Sequence, residues 1–321
     1  MSGPLVSVIV PVRNRRALLR RLLDGLTAQT LADHEVIVVD DGSEDGAPEE
    51  AALDASRGRP VRLIRNPGRG PYEARQAGVE ASSARFIAFT DSDCVPQPKW
   101  LEAGVAALES GADVVNGPTL PERPVAPLER AMGSGEEGLY PTCNMFYRRS
   151  AFDAVGGFSE SPADRIFSEG TTERAWGFGQ DTILAWKVRR AGHAAYAPEA
   201  VVEHHVFPPD LRDTLFRTRM LVGFPALYRE VPELRSHILT RHGVMLNTNN
   251  RWPVYAFFAA AASRRWKTAA VAGAWWLSAR VADVRGQPGS LDQRLASIPI
   301  QMGLDALATA ELLIGSIRAR T

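Results

Sequence analysis

The sequence predicts an α/β fold, a mostly parallel sheet flanked by helices with a helical C-terminal extension. Through the first half, apolar β-branched runs alternate with helical periodicity, the pattern of parallel strands joined by crossover helices. Beyond residue 250, three apolar stretches read as helices instead. A third observation points to where chemistry sits. Residues 85–94 (Arg-Phe-Ile-Ala-Phe-Thr-Asp-Ser-Asp-Cys) run from a buried strand into two carboxylates, Asp91 and Asp93, one residue apart.

Each element has its own signal. Residues 6–12 form the first strand, and residues 15–28 a helix whose Leu18, Leu19, Leu22, Leu23 and Leu26 make one apolar stripe. Strands are expected at 35–40, 61–65, 86–90 and 112–116, with polar loops at 41–46 and 66–71 and a helix from the second loop to residue 81. The next helix begins after Pro96 and Pro98, residues tolerated near a first turn. Residues 117–141 are rich in Pro, Gly and Glu without a sustained period, so they read as a long functional loop or the opening of a second subdomain. A strand at 142–147, a short helix at 150–157 stopped by Gly156 and Gly157, an irregular lid at 158–176, a helix at 181–191 and a strand at 194–205 complete the pattern. In the tail, 252–262 and 268–279 are separated by Arg264, Arg265 and Lys267, and each is shorter than the ~20 residues of a membrane span. These helices, with Trp266, Trp275 and Trp276, suit either a membrane surface or packing on the rest of the chain or a second copy. Residues 291–317 pose the same choice.

Composition narrows the function. The 321 residues carry 37 Lys plus Arg against 37 Asp plus Glu. That balance argues against nucleic acid as the main partner. Two cysteines, Cys94 and Cys143, make no disulfide framework or metal-type cluster, and the N-terminus enters a strand without signal-peptide features. The expected location is cytoplasmic, with the inner face of the membrane as the alternative.

The sheet gathers polar residues on one rim. Arg13 and Asn14 follow the first strand, Asp41 the second, and Asp91 and Asp93 the fourth, all at carboxyl ends, where open α/β sheets bind ligands. Alternate strand residues share a face, so the two acids point together, and a divalent cation or a metal-bound diphosphate would offset their repulsion. Gly68 to Arg75 adds two cations and a flexible backbone near the same rim.

Five segments then carry a resemblance. Val-Ser-Val-Ile-Val-Pro-Val-Arg-Asn at 6–14, Glu-Val-Ile-Val-Val-Asp-Asp-Gly-Ser at 35–43, Thr-Asp-Ser-Asp at 90–93, Gly-Gly-Phe at 156–158 and Gly-Gln-Asp-Thr at 179–182 occur in the order and approximate spacing of family 2 glycosyltransferases. The chain resembles that family over roughly residues 5 to 230. The resemblance implies a GT-A fold, with 1–116 binding a nucleotide-sugar donor, 117–230 binding acceptor and carrying catalysis, and 231–321 as the helical extension. It implies transfer with inversion from a nucleoside-diphosphate sugar, UDP-type by expectation, to a sugar, lipid-linked or small-molecule hydroxyl, with Mg or Mn as cofactor. Asp41 would hold the nucleobase, and Pro11, Arg13 and Asn14 would line the nucleotide pocket. Asp91 with Ser92 would face ribose or donor sugar, Arg75 the diphosphate, and Asp93 the metal.

The family's acceptor motif is usually Glu-Asp, whereas this chain has Gln180 and Asp181. Asp181 is the expected base, because an acceptor hydroxyl needs a positioned carboxylate to take its proton. It also suits a helix's first turn, and the two roles are compatible. In related enzymes a histidine near His204 and His205 completes the metal site; neighbouring strand residues face opposite ways, so one of the two is the expected ligand, with His204 favoured. Arg212, Arg217 and Arg219 follow on a helix. The alternatives are a polyprenyl-phosphate sugar synthase, which needs no base, and a non-catalytic nucleotide-sugar-binding protein. Peripheral membrane contact and a homo-oligomer stay open.

Overall fold

The computed structural model describes residues 3–58, 60–68, 70–136, 138–161, 178–236, 240–241, 244–245 and 252–319. They fall into two compact units. The first gathers the described residues of Met1–Glu122, Met132–Ser161 and Ala175–His205, and the second those of Arg123–Ala131 and Val206–Thr321.

The first unit is built on a seven-stranded sheet. β1 (Val6–Val12) is buried along its whole length, and its Val-Ser-Val-Ile-Val run pairs in parallel with β2 (His34–Asp40) on one side and β4 (Phe86–Phe89) on the other. A strand covered on both faces needs this near-continuous apolar sequence. β3 (Val61–Arg65) extends the sheet beyond β2, while β8 (Met145–Arg148), β6 (Val114–Asn116) and β9 (Ala194–Tyr196) extend it beyond β4, giving the order β3-β2-β1-β4-β8-β6-β9. β8 runs antiparallel to both neighbours. The chain therefore winds one way from β1 to β3 and the other way from β4 onward. This reversal opens a crevice at the carboxyl ends of β1 and β4.

Helices cover the sheet through the stripes the sequence lays out. α1 (Arg16–Thr27) buries Leu19, Leu22, Leu23 and Leu26. α3 (Pro71–Glu80) comes close enough that a Cβ at Gly78 would lie 2.5 Å from Ile9. α4 (Trp100–Glu109) and α6 (Gln180–Ala191) bury Trp100, Leu101, Leu108, Ile183, Leu184 and Val188. Between α1 and α3 lies α2 (Ala47–Ser56), which the periodicity did not reveal: its buried side chains are Ala47, Pro48, Glu50, Ala51 and Asp54, too small and polar to mark a stripe.

Two strand expectations need correction. The single strand expected over 194–205 is two strands in different sheets, because Pro198 interrupts it and a proline cannot donate to a ladder. β9 stays in the main sheet, whereas β10 (Val202–His204) lies between β5 (Cys94–Pro96) and β7 (Thr119–Pro121) in a second, three-stranded sheet. The strand expected at 142–147 begins instead as a 3₁₀ turn, Thr142–Asn144, with β8 following; α5 (Arg149–Ala154) comes next. The lid expected at 158–176 lies, after residue 161, outside the described residues.

The second unit is mostly helical: α7 (Leu211–Arg219), α8 (Phe224–Glu230), α9 (Trp252–Ala262), α10 (Trp266–Arg285) and α11 (Leu291–Arg318), with a small hairpin of β11 (Thr240–Arg241) and β12 (Val244–Met245). Asp210 caps α7 and the Ser290–Gln293 capping box starts α11. α10 is longer than the 268–279 expectation because Arg280 belongs to the buried stripe, not to its end: both nitrogens of its fork meet Asp305 of α11, at 2.6 and 2.8 Å. Trp276 is buried there as well, donating its indole N–H to Asp305 at 2.9 Å, so it is not available to a membrane surface. Among the described residues, α11 is the one helix long and apolar enough to cross a membrane, with 28% of that window buried.

Candidate functional site

The residues at the crevice are held by the turns that end each strand. Pro11 is buried in β1 and Arg13 is exposed just after it. Asn14 adopts a left-handed backbone, φ 51°. Its N–H donates to Ser43 Oγ at 3.0 Å and its Oδ1 accepts from Glu44 N–H at 2.8 Å, which ties the end of β1 to the turn after β2. Asp41, 2% exposed, accepts from Asn66 Nδ2 at 2.6 Å and from the Gly70 N–H at 2.9 Å. Three strand ends are thereby fixed around one pocket wall. Arg69, the second cation of that loop, lies outside the described residues.

After β4, the two acids part. Asp91 pairs with Arg75, Nη2 to Oδ1 at 2.6 Å. Burial raises the Asp91 pKa, but the Arg75 charge and hydrogen bond outweigh it and hold the carboxyl below its ordinary value. Arg75 Nε is buried without a hydrogen-bond partner among the described residues, as are Thr90 Oγ1 and the Tyr147 hydroxyl. Ser92 is buried. Asp93, 6% exposed, is gripped by Arg15, whose guanidinium contacts Oδ2.

The second sheet delivers a histidine to that same oxygen. β10 is antiparallel to β5, placing His204 opposite Cys94, and His204 Nε2 lies 3.6 Å from Asp93 Oδ2. His204 Nδ1 is 2.7 Å from the His205 carbonyl, an acceptor only, so Nδ1 carries a proton and Nε2 is the ring nitrogen turned to Asp93. A backbone carbonyl fixing the far nitrogen is the usual support of a metal-binding histidine. Asp93, Cys94 and His204 offer ligand atoms within 4.8 Å of one another. The Cys94 thiol, hydrogen-bonded to Cys143 and buried, is pushed well above its ordinary pKa. Hard divalent cations favour oxygen and imidazole over sulfur, so the donor set that fits one is the Asp93 carboxylate and the His204 imidazole. His205 turns elsewhere, its Nδ1 2.6 Å from Glu122.

Asp181 enters from the start of α6. It is not the helix cap, which is Gly179, φ 74°. Burial lifts its pKa above the ordinary aspartate range; hydrogen bonds from the Thr182 and Thr142 N–H groups and the charge of Arg75 oppose that shift, and the charge of Asp91 adds to it. Gln180 places no charge beside Asp181, and burial raises the Asp181 pKa without one. Tyr147 senses Asp181 in turn: burial and that carboxylate both push its phenol well above 10.

The structure therefore brings Arg75, Asp91 and Asp181 into one electrostatic cluster, and through Asp91 that cluster also feels Arg15 and His204, the partners of Asp93. Arg212, Arg217 and Arg219 lie on α7 of the second unit, where Arg217 pairs with Asp213 at 2.9 Å. Sequence reasoning did not find Arg15, Tyr147 or Asn144. Arg15 opens the helix expected at 15–28, and Asn144 and Tyr147 lie in the strand expected at 142–147, so only the fold singles them out. The Asn144 side chain accepts from Trp100 Nε1 at 2.8 Å and donates to the Pro118 and Ala200 carbonyls at 3.0 and 2.8 Å. It fixes the two segments that lead into β7 and β10.

Residues 7–159 match the family model described as glycosyl transferase family 2. Glycosyltransferase AglE of Haloferax volcanii is 35% identical over 170 residues, covering 48% of this chain and 56% of that one. The pre-mycofactocin glycosyltransferase of Mycobacterium tuberculosis is 31% identical over 248 residues, 70% of this chain and 48% of that one. The chain thus spans about half the length of these curated relatives. Among solved structures, mannosyltransferase PcManGT from Pyrobaculum calidifontis, in complex with GDP-Man and Mn2+, aligns with 100% of this chain and 88% of its own, at 19% identity and a TM-score of 0.55, a likeness of fold.

Proposed function

This chain belongs to glycosyl transferase family 2, and on that footing we propose that it moves a sugar, with inversion, from a nucleoside-diphosphate sugar to an acceptor hydroxyl. The observation that carries the reading is the Asp181 carboxylate at the start of α6, held by the Thr182 N–H at 2.9 Å and set beside the Arg75–Asp91 pair, where burial raises its pKa. A carboxylate of raised pKa is a better proton acceptor at neutral pH than an exposed aspartate, which is what a weakly acidic sugar hydroxyl requires.

The roles follow from chemistry. Asp41, a carboxylate that accepts from Asn66 and from the Gly70 N–H at the end of β2, suits a nucleobase N–H. Pro11, Arg13 and Asn14 line the same wall. The unpaired Arg75 Nε and the exposed end of Arg13 suit diphosphate oxygens. Asp91 and Ser92 face the ribose or donor sugar. Asp93 and His204 would hold Mg2+ or Mn2+. When bound, such an ion supplies charge stabilisation to the departing diphosphate. Asp181 takes the acceptor proton while its N–H donors at Thr142 and Thr182 keep the carboxylate oriented.

The direct test is Asp181→Asn, assayed with nucleoside-diphosphate sugars against hydroxyl and polyprenyl-phosphate acceptors. Transfer to hydroxyls is expected to fall about 10²- to 10⁴-fold with donor binding kept. Near wild-type transfer to a hydroxyl would remove the base assignment, and a preference for lipid phosphate unaffected by the substitution would favour the synthase reading.

A further inference from the structure

The second unit carries a surface whose charge and shape point to a different partner. α9 and α10 pack on each other through Phe257 and Trp276, with ring centroids 5.7 Å apart. Both helices expose large apolar side chains. On α10, Trp266 is 67% exposed, Val271 72% and Trp275 47%, and α9 adds Phe258 at 40%. At the turn joining the helices, Arg264, Arg265 and Lys267 are exposed beside Trp266. Arg264 takes a left-handed backbone, φ 56°, at that turn.

The sequence around this turn is one-sided. Residues 234–282 contain seven Lys or Arg and no Asp or Glu, in a chain whose total charges balance at 37 and 37. One of the seven, Arg280, is neutralised internally by Asp305. We propose that the α9–α10 turn docks on an anionic lipid bilayer, with Trp266 and Val271 in the boundary between headgroups and acyl chains and Arg264, Arg265 and Lys267 on lipid phosphates. An exposed tryptophan among cations, continuous with an exposed apolar helix face, is the chemistry of an interfacial anchor. A second copy suits this surface poorly: across a two-fold axis the same cations would face one another, with no acid in residues 234–282 to pair them. The docking does not depend on the sugar-transfer reading.

The test is sedimentation of the full chain with vesicles, with no sugar donor present. Phosphatidylcholine vesicles containing about one third phosphatidylglycerol should bind it and pure phosphatidylcholine should bind far less. Arg265→Gln with Lys267→Gln should lower partition to the anionic vesicles about thirtyfold, some fivefold per cation. Lys99→Gln, an exposed cation of the first unit, should leave it unchanged. Brominated acyl chains should quench the protein's fluorescence, and Trp266→Phe should remove most of that quenching. All the altered side chains are exposed, and an unchanged circular dichroism spectrum shows the fold is kept. Equal binding to both vesicle types, or a double variant that binds as the native chain does, overturns the proposal. So does a variant that splits a dimer in solution without changing vesicle binding, which assigns the surface to a second copy.

Discussion

Two aspartates share one cluster and respond to pH in opposite senses. Asp181 has a folded pKa above its unfolded one, so its contribution to stability is present below the unfolded value and is lost as pH rises through the folded one. Asp91, held down by Arg75, contributes above its unfolded pKa, and that contribution is lost as pH falls through the folded one. Stability measured by denaturant from acid to neutral pH should therefore respond differently to two isosteres: Asp181→Asn should flatten the decline just above the ordinary aspartate pKa, whereas Asp91→Asn should weaken the protein at neutral pH. In turnover, the acidic limb of kcat/KM should sit above the ordinary aspartate range and vanish in Asp181→Asn. The histidines differ as sharply. His204→Gln should weaken Mn2+ binding in the presence of a nucleoside diphosphate more than tenfold, read by electron paramagnetic resonance, and His205→Gln should change it little, because His205 is turned toward Glu122. Strand alternation predicts that the two carboxylates point together, but β4 ends at Phe89 and the turn that follows carries Asp91 and Asp93 to different partners. Those partners leave no mark in the sequence: Arg75 and Arg15 arrive from two other elements, with no spacing rule linking them to positions 91 and 93.

Elements with strong periodicity could be read from the sequence, and those defined by small or polar contacts could not. β1, β2, β4 and α1 are fixed by runs of Val, Ile, Phe and Leu that no other placement would bury. α2 and the division of 194–205 into two strands rest on Ala, Pro and side-chain amides. Asn144 shows how much such a residue can hold. Its amide joins α4, through Trp100, to the backbone at 118 and 200, so it secures the path of β10 that carries His204. Asn144→Ala would leave a buried indole N–H and two carbonyls without partners, at roughly 1–3 kcal/mol each. Equilibrium unfolding should show a loss of about 3 kcal/mol or more, and Mn2+ affinity should fall although Asn144 is not a ligand. In the second unit, Arg280 and Asp305 form the buried pair of α10 and α11. Asp305→Asn should cost about 3–5 kcal/mol by removing the buried countercharge of the guanidinium, while Arg280→Met with Asp305→Leu should cost less, the remainder being the Trp276 indole N–H left without its acceptor, at roughly 1–3 kcal/mol.

At the scale of the whole molecule, the proposed cation and nucleotide sites share one crevice, so their occupancy should be linked. Asp93, the proposed cation ligand, lies two residues after Asp91 in the turn that follows β4, and Arg15 contacts its Oδ2. Mn2+ and a nucleoside diphosphate should then raise the thermal midpoint together by more than the sum of their separate effects. A ligand at a hundred times its Kd stabilises by about 2.7 kcal/mol, a shift well within the reach of a melting curve. His204→Gln should abolish the surplus and keep the smaller shift due to the nucleotide alone, whereas Asp41→Asn should diminish the nucleotide shift itself. Strict additivity in the native chain would mean that the two ligands occupy independent sites, and the assignment of Asp93 and His204 to a shared diphosphate-cation centre would fall with it.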